Sequence, residues 1–132
     1  MDLKYMTQEG YALIGSAFEV HRELGGGLAE EIYQESLEME LGLRSIHFSS
    51  KKEMSLQYKG APLKKIYIPD LVVFDTIIVE IKATRTLTRD HERQLLNYMR
   101  IAQNAVGYLI NFAPIEKLEW KRFILSEYIP AH

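Results

Sequence analysis

Cysteine is absent from the 132-residue chain, which excludes disulfide staples and thiolate metal sites. Long apolar runs are missing as well. No stretch approaches the ~20 residues of a membrane-spanning helix. Met1 is followed by Asp2 and Lys4 rather than by an apolar segment, so no secretory signal is expected. A cytoplasmic protein with no membrane partner is the resulting expectation. Repeats, low-complexity tracts and linkers are lacking too. Gly25-Gly26-Gly27 is too short to divide domains, so residues 1–132 are expected to form a single domain. A chain of this length buries roughly two thirds of its unfolded surface and needs no staples. Its 47% hydrophobic and 26% charged residues exclude wholesale disorder.

Net charge is scarce. The total of −2 speaks against a generic nucleic-acid binder, which is usually basic. The average hides a split, however. Residues 1–50 carry nine acids and three bases, whereas residues 51–132 carry nine acids and thirteen bases. The second half is net positive, as a surface facing a polyanion would be.

The chain opens with helical patterning. A first helix starts near Thr7, a good N-cap, with Ile14, Ala17, Phe18, His21 and Leu24 as its apolar stripe. Gly25 supplies the residue that ends it. A second helix runs from about Leu28 to Leu41 and stops at Gly42. Leu28, Ala29, Ile32, Tyr33, Ser36, Leu37 and Met39 form one face, and Glu31, Gln34, Glu35 and Glu38 the other. Glu30 falls at the boundary between the two.

The middle reads as β structure. Met54, Leu56 and Tyr58 alternate with polar residues as in a half-buried strand, and Lys59-Gly60 turns the chain. Ile66-Tyr67-Ile68 leads through Pro69-Asp70 into Leu71–Phe74, and Asp75-Thr76 breaks the run. Ile77-Ile78-Val79 then leads into Glu80-Ile81-Lys82. Both runs are apolar on both faces, the pattern of central strands covered on each side. A third helix spans Arg89–Ala102 with Thr88 as N-cap and Asp90 in its first turn. Residues 106–110 read as a buried strand, and residues 120–125 as a last strand or a short helix. This order implies an α/β layer with a mixed sheet.

Asp70, Glu80 and Lys82 are charges attached to very apolar segments, a costly arrangement unless they are paired or bound to metal. Glu80 and Lys82 are two apart and share one strand face. Whether Asp70 joins them depends on register. A two-residue Asp75-Thr76 turn sets Leu71 opposite Glu80 and turns Asp70 away. A three-residue loop, or a bulge, sets Asp70 opposite Glu80 on the same face, and a carboxylate site requires this second arrangement. Two carboxylates on adjacent strands suit a hard cation such as Mg²⁺ or Mn²⁺. Such a cation activates water and neutralises charge on phosphorus, and a neighbouring lysine can position the water. The alternative is a buried ion pair with no catalytic role.

Pro69-Asp70, a gap and then Glu80-Ile81-Lys82 resemble the signature of the PD-(D/E)XK nucleases. Gln94-Leu95-Leu96-Asn97-Tyr98 is similar to the Q-x-x-x-Y motif of the RecB-like branch. Gly27 to Tyr33 reads G-x-x-E-x-x-Y, the signature of the small GxxExxY proteins. The resemblance covers about residues 10–125. It implies a restriction-endonuclease-like core, with a central mixed β-sheet flanked by helices. It further implies that Glu30, Asp70 and Glu80 ligate a metal, with the Ile81 carbonyl as a further ligand. Lys82 would handle the attacking water, and Gln94 and Tyr98, four apart on one helix face, would orient it or a phosphate. Arg85, Arg89, Arg93, Lys64 and Lys65 lie near these motifs and are candidate phosphate contacts, with Arg100 beyond them. His21 reads as a satisfied core histidine and Tyr33 as packing.

The function expected from this resemblance is Mg²⁺-dependent hydrolysis of nucleic acid, with DNA ahead of RNA. Targeting would come from a homodimer or a partner protein. The alternatives are a subunit that binds nucleic acid without useful turnover and an interaction module that retains the fold.

Overall fold

A computed structural model describes residues 2–131. Helices α1 (Thr7–Leu24) and α2 (Glu30–Leu43) precede five strands, β1 (Phe48–Ser50), β2 (Met54–Tyr58), β3 (Ala61–Tyr67), β4 (Leu71–Val73) and β5 (Ile77–Lys82). Helix α3 (Arg89–Ala102), β6 (Val106–Asn111), β7 (Glu119–Ile124) and a 3₁₀ turn at Ser126–Tyr128 complete the chain. The main sheet has the order β1-β4-β5-β6-β7. Only β5 and β6 run parallel within it, joined through α3, so the sheet is mixed.

The alternation of side chains along β5 divides the core. Ile77, Val79 and Ile81 face one side, where they pack with Leu13, Ala17, Val20, Tyr33, Leu37 and Leu41 of α1 and α2. Ile78 faces the other side and packs with Leu95, Tyr98 and Met99 of α3. By the same two-residue period Glu80 and Lys82 share the α3 side with Ile78.

Several local expectations shift. Thr7 is the first helical residue of α1 rather than its cap; Met6 precedes it with a left-handed φ of 59° and no side-chain cap. Gly25 ends the helix as expected, with φ 72° and its N–H on the His21 carbonyl at 2.8 Å. The buried face of α1 is Gly10, Leu13, Ile14, Ser16, Ala17, Val20 and His21, so Phe18 and Leu24 fall on its rim, exposed. Helix α2 starts at Glu30 and runs past Gly42 to Leu43. The chain leaves it through Ser45 in the left-handed region, with Ile46 N–H on Leu41 O (2.9 Å) and Ser45 N–H on Gly42 O (3.0 Å). Its buried face is Tyr33, Leu37 and Leu41, which leaves Ile32 and Met39 exposed. Strand β1 carries no alternation long enough to read in the sequence. Strands β2 and β3 form a separate, largely exposed hairpin, so Leu56 and Tyr58 do not line the main core.

At Gly10, α1 lies close against the sheet. A Cβ placed there would lie 1.9 Å from the Tyr108 hydroxyl oxygen. Tyr108 is buried and tilted against Trp120, with ring centroids 5.9 Å apart, so it has little room to yield. Gly10→Ala is therefore expected to destabilise the fold by about 1–3 kcal/mol, the usual cost of overpacking. Thermal melting of the variant checks this.

Candidate active site

The β4–β5 hairpin decides the geometry. Its loop is the three residues Phe74-Asp75-Thr76, with Phe74 and Asp75 both at positive φ. Val73 pairs with Ile77, Val72 with Ile78 and Leu71 with Val79. Continued by one residue, that register puts Asp70 opposite Glu80 on the α3 side of the sheet. Both residues are buried, at 7% and 4% exposure.

Their contacts lock them together. The Asp70 amide donates to Glu80 Oε2 at 2.8 Å, and the Ile81 amide donates to Asp70 Oδ2 at 2.7 Å. The Ile81 side chain itself faces the α1/α2 core. Burial, and then the charge of Asp70, push the Glu80 carboxyl up to about 8; the Asp70 amide and Lys82 oppose the shift only in part. Two carboxylates that cannot both ionise comfortably are a donor set that fits a hard cation, because the cation relieves burial and mutual repulsion together.

Lys82 projects from β5 toward α3. Its Nζ donates to Gln94 Oε1 at 3.3 Å, and Gln94 Nε2 donates to the Tyr98 hydroxyl at 3.3 Å. Thr88 places this helix. Its hydroxyl caps the His91 amide at 3.2 Å, while His91 Nδ1 accepts from the Thr88 amide at 3.1 Å. Burial, and then the charges of Glu80 and Asp70, raise the Tyr98 pKa, so its hydroxyl stays protonated and able to donate. Lys82, Gln94 and Tyr98 thus form one hydrogen-bonded chain on the sheet face that carries Asp70 and Glu80.

Glu30 opens α2 with an exposed side chain, and its charge reaches Lys51, the lysine bonded to Asp70. Among the described residues no three His, Asp or Glu side chains group closely enough to hold a metal ion, so the carboxylate cluster is a pair. Tyr33 explains where α2 begins. Its ring stacks on Phe112 at 4.7 Å, its hydroxyl donates to Gly25 O at 2.6 Å, and it accepts from the Leu28 amide at 3.1 Å. His21, bonded to Pro114 O at 2.6 Å, anchors the same corner.

The candidate phosphate contacts separate into groups. Lys65 and Arg93 line a cleft of about 380 Å³ between β3 and α3, with Tyr67, Gln94, Asn97 and Tyr98. Arg93 is also paired with Asp90. Lys64 is exposed on the hairpin, where Leu63, Lys64 and Lys65 face the single residue Leu56 across a bulge. Arg85 and Arg89 are exposed before and at the start of α3.

Sequence reasoning missed the neighbours of Asp70. Lys51 Nζ donates to Asp70 Oδ1 at 2.5 Å. Gln34 Nε2 donates to the Asp70 carbonyl at 3.1 Å and to Glu38 Oε2 at 2.7 Å. Asp70, helped by Glu80 and Glu30, outweighs the burial of Lys51 and holds its pKa above the ordinary lysine range. Nothing in the Ser49–Lys52 stretch distinguishes Lys51 from a lysine on a solvated turn.

The family model of the PD-(D/E)XK nuclease superfamily matches residues 7–123. The chain belongs to that superfamily. Among solved structures, that of SSO0001 aligns with a TM-score of 0.58 at 22% identity, over 74% of this chain. The chain spans about half (51%) of SSO0001, and the likeness supports a restriction-endonuclease-like fold. A search of the curated proteins finds no match. No helix among the described residues is long and apolar enough to cross a membrane.

Proposed function

We propose that this chain hydrolyses phosphodiester bonds of nucleic acid with the help of Mg²⁺ or Mn²⁺. The observation that carries this reading is the register placing Asp70 and Glu80 together, with Lys82 on the same sheet face beside Gln94 and Tyr98. Asp70 and Glu80 would hold the cation, with the Ile81 carbonyl as a further ligand and Glu30 approaching from α2. When bound there, the cation makes water more acidic and offsets charge developing on phosphorus. Lys82 holds the attacking water in line, and Gln94 fixes the lysine through its amide oxygen. Tyr98 fixes Gln94 in turn. Lys65 and Arg93 in the cleft, with Lys64, Arg85 and Arg89 around it, meet the phosphates of the strand.

Within the superfamily we assign the chain to the GxxExxY proteins of the RecB-like branch, on Gly27, Glu30, Tyr33, Gln94 and Tyr98. We take residues 1–132 as one domain, acting in the cytoplasm on DNA ahead of RNA. With a net charge of −2, binding by this domain is expected to be weak and salt-sensitive. A homodimer or a partner protein would then supply targeting.

The test incubates wild type and Lys82→Ala with mixed DNA and RNA substrates in Mg²⁺, Mn²⁺ or EDTA. Cleavage by wild type that is lost both in EDTA and in the variant is expected. Cleavage surviving either treatment refutes the mechanism. The Lys51–Asp70 ion pair favours a second reading, a fold-retaining subunit that binds nucleic acid without cutting it. Binding with no cleavage across the panel supports that one.

A further inference from the structure

Lys51 is held in an unusual way. Its backbone sits at φ 53°, a region where glycine is the unstrained choice. Polar contacts fix the turn in place. The Lys51 amide donates to the Asp70 carbonyl at 3.1 Å, and the Ser50 hydroxyl donates to Glu38 Oε2 at 2.7 Å. Gln34 bridges Glu38 and the same Asp70 carbonyl. Helix α2 thus braces a turn that aims a lysine at a buried carboxylate.

The two partners differ in freedom. The Lys51 side chain is 53% exposed and that of Asp70 only 10%. The ammonium can swing into solvent, whereas Asp70 is tied through Oδ2 to the Ile81 amide. Oδ1 is therefore the Asp70 oxygen open to exchange. An ammonium and a divalent cation cannot both take it at bonding distance, because like charges repel.

We infer that Lys51 competes with a divalent cation for Asp70 Oδ1, so that the lysine sets the metal affinity of the site. This rests on the reading of Asp70 and Glu80 as metal ligands. Lys51 acts here as a positioning residue, through Asp70.

The test titrates Mn²⁺ alone into the full-length wild type, Lys51→Met, Lys51→Gly and Lys51→Arg, followed by calorimetry. The Met and Gly variants are expected to bind Mn²⁺ roughly tenfold more tightly than wild type, as loss of one half-exposed ion pair allows. The Arg variant, which keeps the charge, is expected to stay near wild type. Lys51→Gly also relieves the backbone, so a folded variant remains available if Lys51→Met fails to fold. Equal or weaker binding by the Met and Gly variants overturns the competition and leaves the metal reading standing. Absence of Mn²⁺ binding in wild type and every variant overturns both.

Discussion

Asp70→Asn is expected to reduce cleavage by roughly 10³-fold or more, because it removes half of the charge that holds the cation. The substitution is nearly isosteric. The asparagine oxygen can still accept from the Ile81 amide, which Asp70 Oδ2 does at 2.7 Å. The amide nitrogen then faces Lys51 Nζ, where Asp70 Oδ1 now accepts at 2.5 Å. One ion pair is lost while the hairpin register, set by Leu71–Val73 against Ile77–Val79, is untouched. Activity is therefore expected to collapse with only a modest fall in melting temperature. A matched loss of both would assign Asp70 a structural role instead.

Glu80→Gln is expected to stabilise the protein at pH 8 and to have almost no effect on stability at pH 4. Burial and Asp70 raise the folded-state pKa of Glu80 to about 8 from an ordinary 4.5. Between those values the folded state holds a proton that the unfolded state releases. Stability linked to Glu80 is then fully present below about pH 4.5 and is lost as pH rises through about 8. Glutamine keeps the acceptor oxygen for the Asp70 amide and never ionises. The difference in melting temperature between variant and wild type is expected to grow across this window to about 5–10 °C at pH 8. Melting curves with Mn²⁺ present should shrink that difference, because the cation neutralises wild-type Glu80 and has less to offer the variant. A difference that stays flat with pH would mean that Glu80 sits comfortably ionised.

The parts of this molecule that follow short-range rules were readable from residues alone. Thr88 as a cap, Arg89–Ala102 as a helix, and Gly25 as a terminator each depend on contacts within a few positions. The doubly apolar runs around Leu71–Val73 and Ile77–Val79 likewise marked the buried centre of the sheet. The register of Asp70 against Glu80 was reducible to two loop lengths, and the three-residue loop resolves it. Of residues 120–125, open between strand and helix, those through Ile124 extend as β7 because β6 offers a partner from Val106 to Asn111.

What escaped depends on tertiary position. The rotation of α1, with Phe18 on the rim and Gly10 against Tyr108, follows from how α2 and β6 pack on it. Strand β1 is three residues long and exists because β4 has a free edge. Lys51 meets Asp70 across nineteen positions, a contact that no periodicity announces. Glu30 was legible as a boundary residue of its helix. Its exposed place at the start of α2, within reach of the Lys51 charge, follows from how α2 packs.

The central claim is that Asp70 and Glu80 together hold a divalent cation. Mn²⁺ binding, followed by electron paramagnetic resonance for wild type, Asp70→Asn and Glu80→Gln, tests it most directly. Saturable binding by the wild type, lost or severely weakened in both variants, is the predicted result. Wild-type binding retained in both variants, or nucleic-acid cleavage by a wild type that binds no Mn²⁺, would contradict it.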